Sequence, residues 1–157
     1  MVEVFGIPII AGTKFGNSAK LNHVASVMAE LLDQDGDGCA DDPNVLRHLL
    51  TKAGKFRKAF VLPNTKPATQ AATMAIMKKG FGYTLDVDIG QIKLNCTGLH
   101  FTPECSDNSI EEIYHFLTDY GYSKAYSKIL GLTWQAQSKL TNAMDIARYF
   151  FGFNFPY

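Results

Sequence analysis

The sequence predicts an α+β domain, in the wider α/β class: four or five helices packed on a small mixed sheet. Three observations lead there. The 157 residues are one domain's length, and 46% are apolar, enough for a real core. Apolar residues recur at three- and four-residue spacing in some stretches and alternate strictly in others. Two of the helical stretches flank an acidic loop, giving an EF-hand-like helix-loop-helix over residues 18–54 of a single 1–157 domain.

The elements follow in chain order. Met1 to Ala11 is apolar and reads as a strand broken at Gly6-Ile7-Pro8. It has no basic start, and Glu3 and Pro8 interrupt the run, so it does not read as a signal peptide. Ser18 can cap a helix to Leu32, with Leu21, Val24, Ala25, Met28, Leu31 and Leu32 as its apolar stripe. Asp42 and Pro43 open a second helix that buries Val45, Leu46, Leu49, Leu50 and Ala53 and stops at Gly54. Phe56–Leu62 reads as a strand, and residues 67–80 as an Ala-rich helix. Tyr83 to Ile89 alternates as a half-buried strand, and a bulge or turn at Gly90 shifts the apolar phase to Ile92, Leu94 and Cys96.

Asp107 or Ser109 can cap a helix from Ile110 to Tyr120, ended by Gly121, with Ile110, Ile113, Tyr114 and Leu117 as its stripe. A last helix runs from Thr133 to Phe151. Beyond it Phe153, Phe155 and Tyr157 alternate with small or polar residues, so an extended tail presents three aromatics on one side. That much apolar area must dock, at home or between subunits of a homo-oligomer.

Composition excludes several classes. Lys plus Arg and Asp plus Glu are each 15, so the chain is not basic overall as a nucleic-acid coat would be. No apolar run reaches the roughly 18 residues of a membrane span. Charge is nonetheless segregated. Between Pro43 and Leu85 there is no acid, while Arg47, Lys52, Lys55, Arg57, Lys58, Lys66, Lys78 and Lys79 fall there. This is either a solvated face balancing the acidic loop or a patch for an anion such as a sulfated glycan, phosphate or nucleic acid.

The loop carries the sharpest signal. Counting Asp33 as position 1 of an EF-hand loop, Asp35 is 3, Asp37 is 5, Gly38 is 6, Cys39 is 7 and Asp41 is 9. A hard divalent cation needs several oxygens at about 2.4 Å, and alternate residues of a tight loop supply them together. Asp33, Asp35, Asp37 and Asp41 offer carboxylates, and Cys39 offers its backbone carbonyl. Position 12, normally a bidentate Glu, is Asn44, so the expected calcium site is weak and structural.

A second metal site is readable on Glu111-Glu112-Ile113-Tyr114-His115. Glu111 and His115 are four apart and share one flank of the helix. Read as a degenerate zincin helix, they ligate zinc or another transition metal, Glu112 is the catalytic base, and His100 or Asp119 completes the site. Read as Glu-x-x-His, Glu112 and His115 are half of a carboxylate di-iron site. The remaining reading is a polar helix face. His23 and His48 point away from the apolar stripes and are expected to be exposed.

Cys39, Cys96 and Cys105 are an odd count. Cys96 and Cys105 can form a local disulfide in an oxidising compartment, leaving Cys39 free or intermolecular; the alternative is three reduced thiols. Asn95-Cys96-Thr97 is an N-glycosylation sequon, relevant only to a secreted glycoprotein.

The order of motifs resembles a family of uncharacterised, often secreted proteins with an Asp-rich loop and a Glu-Glu-x-x-His helix. The motifs are Ile-Pro-Ile, Leu-x-His-x-x-x-x-Met-Ala, Asp-x-Asp-x-Asp-Gly-x-x-Asp-x-Pro, Ser-Ile-Glu-Glu-Ile-x-His, Gly-Tyr-x-x-Ala-Tyr and Asn-Ala-Met-Asp-Ile-Ala-Arg. The matching positions are Asp33, Asp35, Asp37, Asp41, Glu111, Glu112, His115, Gly121, Tyr122, Asp145 and Arg148, within residues 5–152. The resemblance implies secretion and this architecture, and no particular reaction.

Overall fold

The computed structural model describes residues 1–12, 19–51, 57–62, 81–82, 92, 107–131 and 138–151. The expected helix 67–80, strand 83–89 and Gly90 bulge, His100, Cys96 and Cys105, the sequon and the aromatic tail lie outside these residues.

The chain opens as a hairpin. β1 (Val2–Val4) pairs antiparallel with β2 (Ile7–Ala11), with Val4 opposite Ile7. Phe5 and Gly6 form its two-residue loop, both at positive φ (48° and 80°), as a type I′ turn demands. The break therefore falls at Phe5-Gly6, and Ile7 and Pro8 belong to β2. Pro8 stands opposite Glu3, a position beside the closing pair that needs no N–H across the hairpin. Pairing on the other edge begins only at Ile9, so the missing donor breaks no ladder bond.

β2 then pairs in parallel with β4 (Phe60–Leu62), with Ile9 opposite Phe60 and Ala11 opposite Leu62. Parallel pairing needs a long crossover, and α1 (Ala19–Leu32) and α2 (Pro43–Leu50) lie within it. The sheet β1-β2-β4 is thus mixed, and the acidic loop is the turn between the two crossover helices. The expected strand 56–62 is divided: β3 (Arg57–Lys58) leaves to pair with β5 (Phe81–Gly82) in a separate two-stranded ladder.

Alternation puts Ile7, Ile9, Phe60 and Leu62 on the helix-covered face of the sheet. There they meet Leu21, Val24, Met28 and Leu32 of α1, and Val45 and Leu49 of α2. Ile10, Ala59 and Val61 pack together as a separate small cluster. The α1 stripe is as the spacing predicts. α2 ends at Leu50, with Thr51 as its cap, and Leu50 itself is exposed.

α3 (Asn108–Leu117) completes the core with Ile113, Phe116 and Leu117; the Phe116 ring meets Phe60 edge-on at 5.9 Å. Its buried face is rotated from the expected one, and Ile110 and Tyr114 are exposed. The cause is the cap. Asp107 Oδ1 accepts from the Ser109 N–H (3.1 Å) and Oγ–H (2.7 Å), drawing Ser109 fully inside. The buried series is then Ser109, Ile113, Phe116, at helical spacing.

His23 is the partner the wheel missed. It is half-buried, and its Nε2–H donates to Asp107 Oδ2 at 2.5 Å, joining α1 to the start of α3. Burial pushes the Asp107 carboxyl up, but the bonds from His23 and Ser109 outweigh it and hold the pKa below the usual value. A depressed native pKa contributes stability above the unfolded value, about 3.9, and that contribution is lost as pH falls through the native one. Asp107→Asn is therefore expected to flatten the fall of stability below about pH 4. Urea unfolding at stepped pH reads this, and an unchanged acid slope would show that the pair does not contribute.

Gly121 does not end the helix. The chain continues through a π-helical turn (Thr118–Tyr122) into two short helices, α4 (Ser123–Ala125) and α5 (Ser127–Leu130). α6 (Lys139–Phe151) follows; Ser138 Oγ accepts from the Thr141 N–H at its start (3.0 Å). No helix among the described residues is long and apolar enough to cross a membrane.

Candidate metal centre

The acidic loop is held open-ended between two fixed helices. The Asp33 N–H still donates to Ala29 O as the last turn of α1, and the Asp41 N–H donates to Leu32 O. Between them the backbone reverses twice, at Gly36 (φ 72°) and Gly38 (φ 86°), a region L side chains rarely enter. Gly38 is the sharp turn expected at position 6.

Those reversals turn backbone N–H groups onto the carboxylates. Asp33 Oδ1 accepts from Asp37 N (3.1 Å), and Asp33 Oδ2 accepts from Gly38 N (2.9 Å). Asp35 Oδ1 also accepts from Asp37 N (3.2 Å), and Asp37 Oδ1 accepts from Cys39 N (2.7 Å). The result is a set of carboxylates fixed by the loop's own backbone. One oxygen from each of Asp33, Asp35 and Asp37 lies within 4.8 Å of the others. An ion bonded to each at about 2.4 Å requires separations no greater than this. The donors are all hard oxygens, which suit calcium or magnesium and not a thiophilic metal.

Asp41 is placed differently from the other three. Its Oδ2 accepts from the Gln34 N–H (2.9 Å), closing the far end of the loop onto its start. Position 9 of such loops often reaches the ion through water. Asn44, at position 12, is turned into α2, where its Oδ1 accepts from Arg47 Nη2 (2.5 Å). No bidentate carboxylate stands there. Cys39 is free and exposed.

Asp42, at position 10 of the loop, has two roles open to it by spacing, a substitute for the ligand missing at position 12 or the cap of α2, and its Oδ1 serves the cap. Asp42 Oδ1 accepts from the N–H groups of Asn44 and Val45 (3.0 Å each), while its Oδ2 accepts from the Tyr126 hydroxyl (2.7 Å). The loop's exit is thereby tied to the α4–α5 junction, 84 residues along the chain. Burial raises the Asp42 pKa, and these hydrogen bonds more than offset it and leave the carboxyl below its usual range. Tyr126 is raised in turn, first by its bond to Asp42, and Tyr122 is raised by burial and by the charges of Asp42 and Asp41. Removing the cap with Asp42→Ala is expected to cost about 1 kcal/mol. Tyr126→Phe, which keeps the cap and removes the hydroxyl tie, should cost less. Urea denaturation of both variants separates the two roles; equal losses would show that the tie, and not the cap, holds the loop's exit.

The Glu111-Glu112-x-x-His115 helix is a different case. His115 Nε2 lies 3.9 Å from Glu111 Oε1, with both side chains mostly exposed. The pair is together as the spacing implied. Among the described residues, however, the only group of three or more acidic, His or Cys side chains that could hold an ion is Asp33-Asp35-Asp37, so neither Asp119 nor Glu112 converges on Glu111 and His115. His100 lies outside the described residues.

The basic stretch is likewise partly accounted for. Lys58 Nζ donates to the carbonyls of His48 and Thr51 (2.5 and 3.1 Å) at the end of α2, as a cation at a helix C-terminus should. Burial, with Lys124 nearby, lowers its pKa. Arg47 is engaged with Asn44.

The fold and this loop define an α+β protein with one Asp-rich helix-loop-helix set into the crossover of a mixed sheet. In comparison with known proteins, no family model matches the chain, and no curated protein or solved structure matches it.

Proposed function

We propose that this chain is a calcium-binding protein of structural or binding role, in which one ion on the 33–41 loop pins α1 to α2. The observation that carries the reading is the convergence of Asp33, Asp35 and Asp37 to within 4.8 Å, on a backbone that already restrains each carboxylate. The Cys39 carbonyl and Asp41, directly or through water, would complete the shell. Without a bidentate ligand at position 12, the affinity belongs with the weak extracellular modules, about 10⁻⁴–10⁻³ M. A site that weak fills only where calcium is millimolar, which supports secretion as part of the same proposal. Titration calorimetry with calcium, and with magnesium as control, tests it. One calcium per chain in that range, lost in Asp33→Ala with Asp35→Asn, supports the reading. No heat at millimolar calcium would overturn it.

A further inference from the structure

Taking the calcium reading above as the basis, we propose that Tyr126 is a positioning residue of the 33–41 loop, through which ion binding and the docking of the α4–α5 segment favour one another. The Tyr126 hydroxyl is where the loop's exit and this segment meet. It donates to Asp42 Oδ2 at 2.7 Å, and the Asn44 side chain hydrogen-bonds the same hydroxyl. Asn44 Oδ1 is held in turn by Arg47. Positions 10 and 12 of the loop thus both meet one phenol. On the other side of this bond the segment is anchored at its two ends. Gly121 lies against Val45 and Leu49 of α2, and Ser123 is buried. The next buried residue is Gly131, and no residue of α5 between them is buried. Opening residues 126–130 therefore exposes little core, and the Tyr126 hydroxyl bond is a tertiary tie within that span.

Ion binding acts on the same tie from the loop side. The Cys39 carbonyl and Asp41 belong to the expected shell, and Asp41 leads directly into Asp42. Their own restraints are local: the Cys39 N–H donates to Asp37 Oδ1, and Asp41 Oδ2 accepts from the Gln34 N–H. An ion gathers both onto one centre and narrows the positions open to residues 39–42. Asp42 Oδ1 is already fixed as the cap of α2, so Oδ2 is left one place in which to meet Tyr126. The exit is ordered once for both events, and whichever comes first lowers the entropy cost of the other. Linkage makes the effect reciprocal. The factor by which the tie strengthens calcium binding is the factor by which calcium strengthens the tie. A contact made by one exposed hydroxyl sets its size at about two- to fivefold.

Hydrogen exchange and titration calorimetry on the full chain, with calcium chloride as the probe, test this. The reporting amides are Ile129 and Leu130, which donate to Tyr126 O, and Gly131, which donates to Ser127 O. In the parent, calcium should slow their exchange about two- to fivefold. In Tyr126→Phe it should leave them unchanged, and the calcium dissociation constant should rise by about the same factor. General stabilisation would slow exchange alike in both proteins, so equal slowing would overturn the coupling. An unchanged dissociation constant in Tyr126→Phe would overturn it as well. In Asp33→Ala with Asp35→Asn, calcium should leave these amides untouched; slowing there would mean that the effect bypasses the loop, and would also overturn the coupling. No calcium heat in the parent is a different failure, which removes the calcium reading and the coupling with it.

Discussion

Calcium at about 10 mM is expected to stabilise the protein by roughly 2.7 kcal/mol, given a dissociation constant near 10⁻⁴ M, because an ion held only by the folded state adds RT ln(1 + [L]/Kd). For a chain of this length each kcal/mol moves the melting temperature by about 2–4 °C, so the shift is roughly 5–11 °C over the chelated protein. The shift should disappear in Asp35→Asn with Asp37→Asn. The metal-free variant should also melt slightly above the metal-free parent. Asp33, Asp35 and Asp37 repel one another when no cation sits among them, and two amides relieve that repulsion. Scanning calorimetry of both proteins, with calcium and with chelator, reads all four states. Superimposable parent curves with and without calcium would show that the loop acts only as a turn between helices.

Why the loop was legible and the ties around it were not has a physical basis. An ion site in a short loop is a local pattern: ligands at alternate positions, a reversal at Gly38, flanking amphipathic helices. Each is set by near neighbours in the chain, so spacing alone reveals it. The same locality explains the stripes of α1 and α2 and the cap at Asp42. The His23–Asp107 and Asp42–Tyr126 bonds each join residues 84 positions apart. No periodicity encodes such a pairing. A wheel could say only that His23 lies off the apolar stripe, which is true of an exposed group and of one that reaches a buried carboxylate from the edge. The rotation of α3 has a similar origin. Ile110 is the more apolar residue, yet Ser109 is buried, because Asp107 satisfies its hydroxyl and removes the cost of taking it out of water. The break expected at Gly6-Ile7-Pro8 falls at Phe5-Gly6 instead, with Ile7 and Pro8 in the strand, for a different reason. Proline excludes a strand only where its N–H is needed, and the register decides that.

Gly121→Ala is expected to destabilise the protein by about 2–3 kcal/mol, the upper part of the range for overpacking. A glycine after a helical run reads as a terminator, but here it lies inside the π-helical turn, buried against α2. A β-carbon at this position would stand 2.8 Å from Val45 Cγ1 and 3.2–3.3 Å from the Leu49 side chain. Both of those residues are almost wholly buried in the main core, so neither can swing away into solvent. The wider π turn brings the chain's backbone flat against α2, and only a residue without a side chain fits. The clash partners make a double-mutant cycle informative. Val45→Ala alone leaves a cavity and should cost about 1–2 kcal/mol. Combined with Gly121→Ala it should lose less than the sum, since the new methyl fills the space the old one leaves. Urea denaturation of the four proteins measures the coupling. Strict additivity would mean that the turn yields by shifting its backbone away from α2. In that case the Tyr126–Asp42 tie should weaken as well, visible as a fall of the Tyr126 hydroxyl pKa toward its ordinary value in Gly121→Ala.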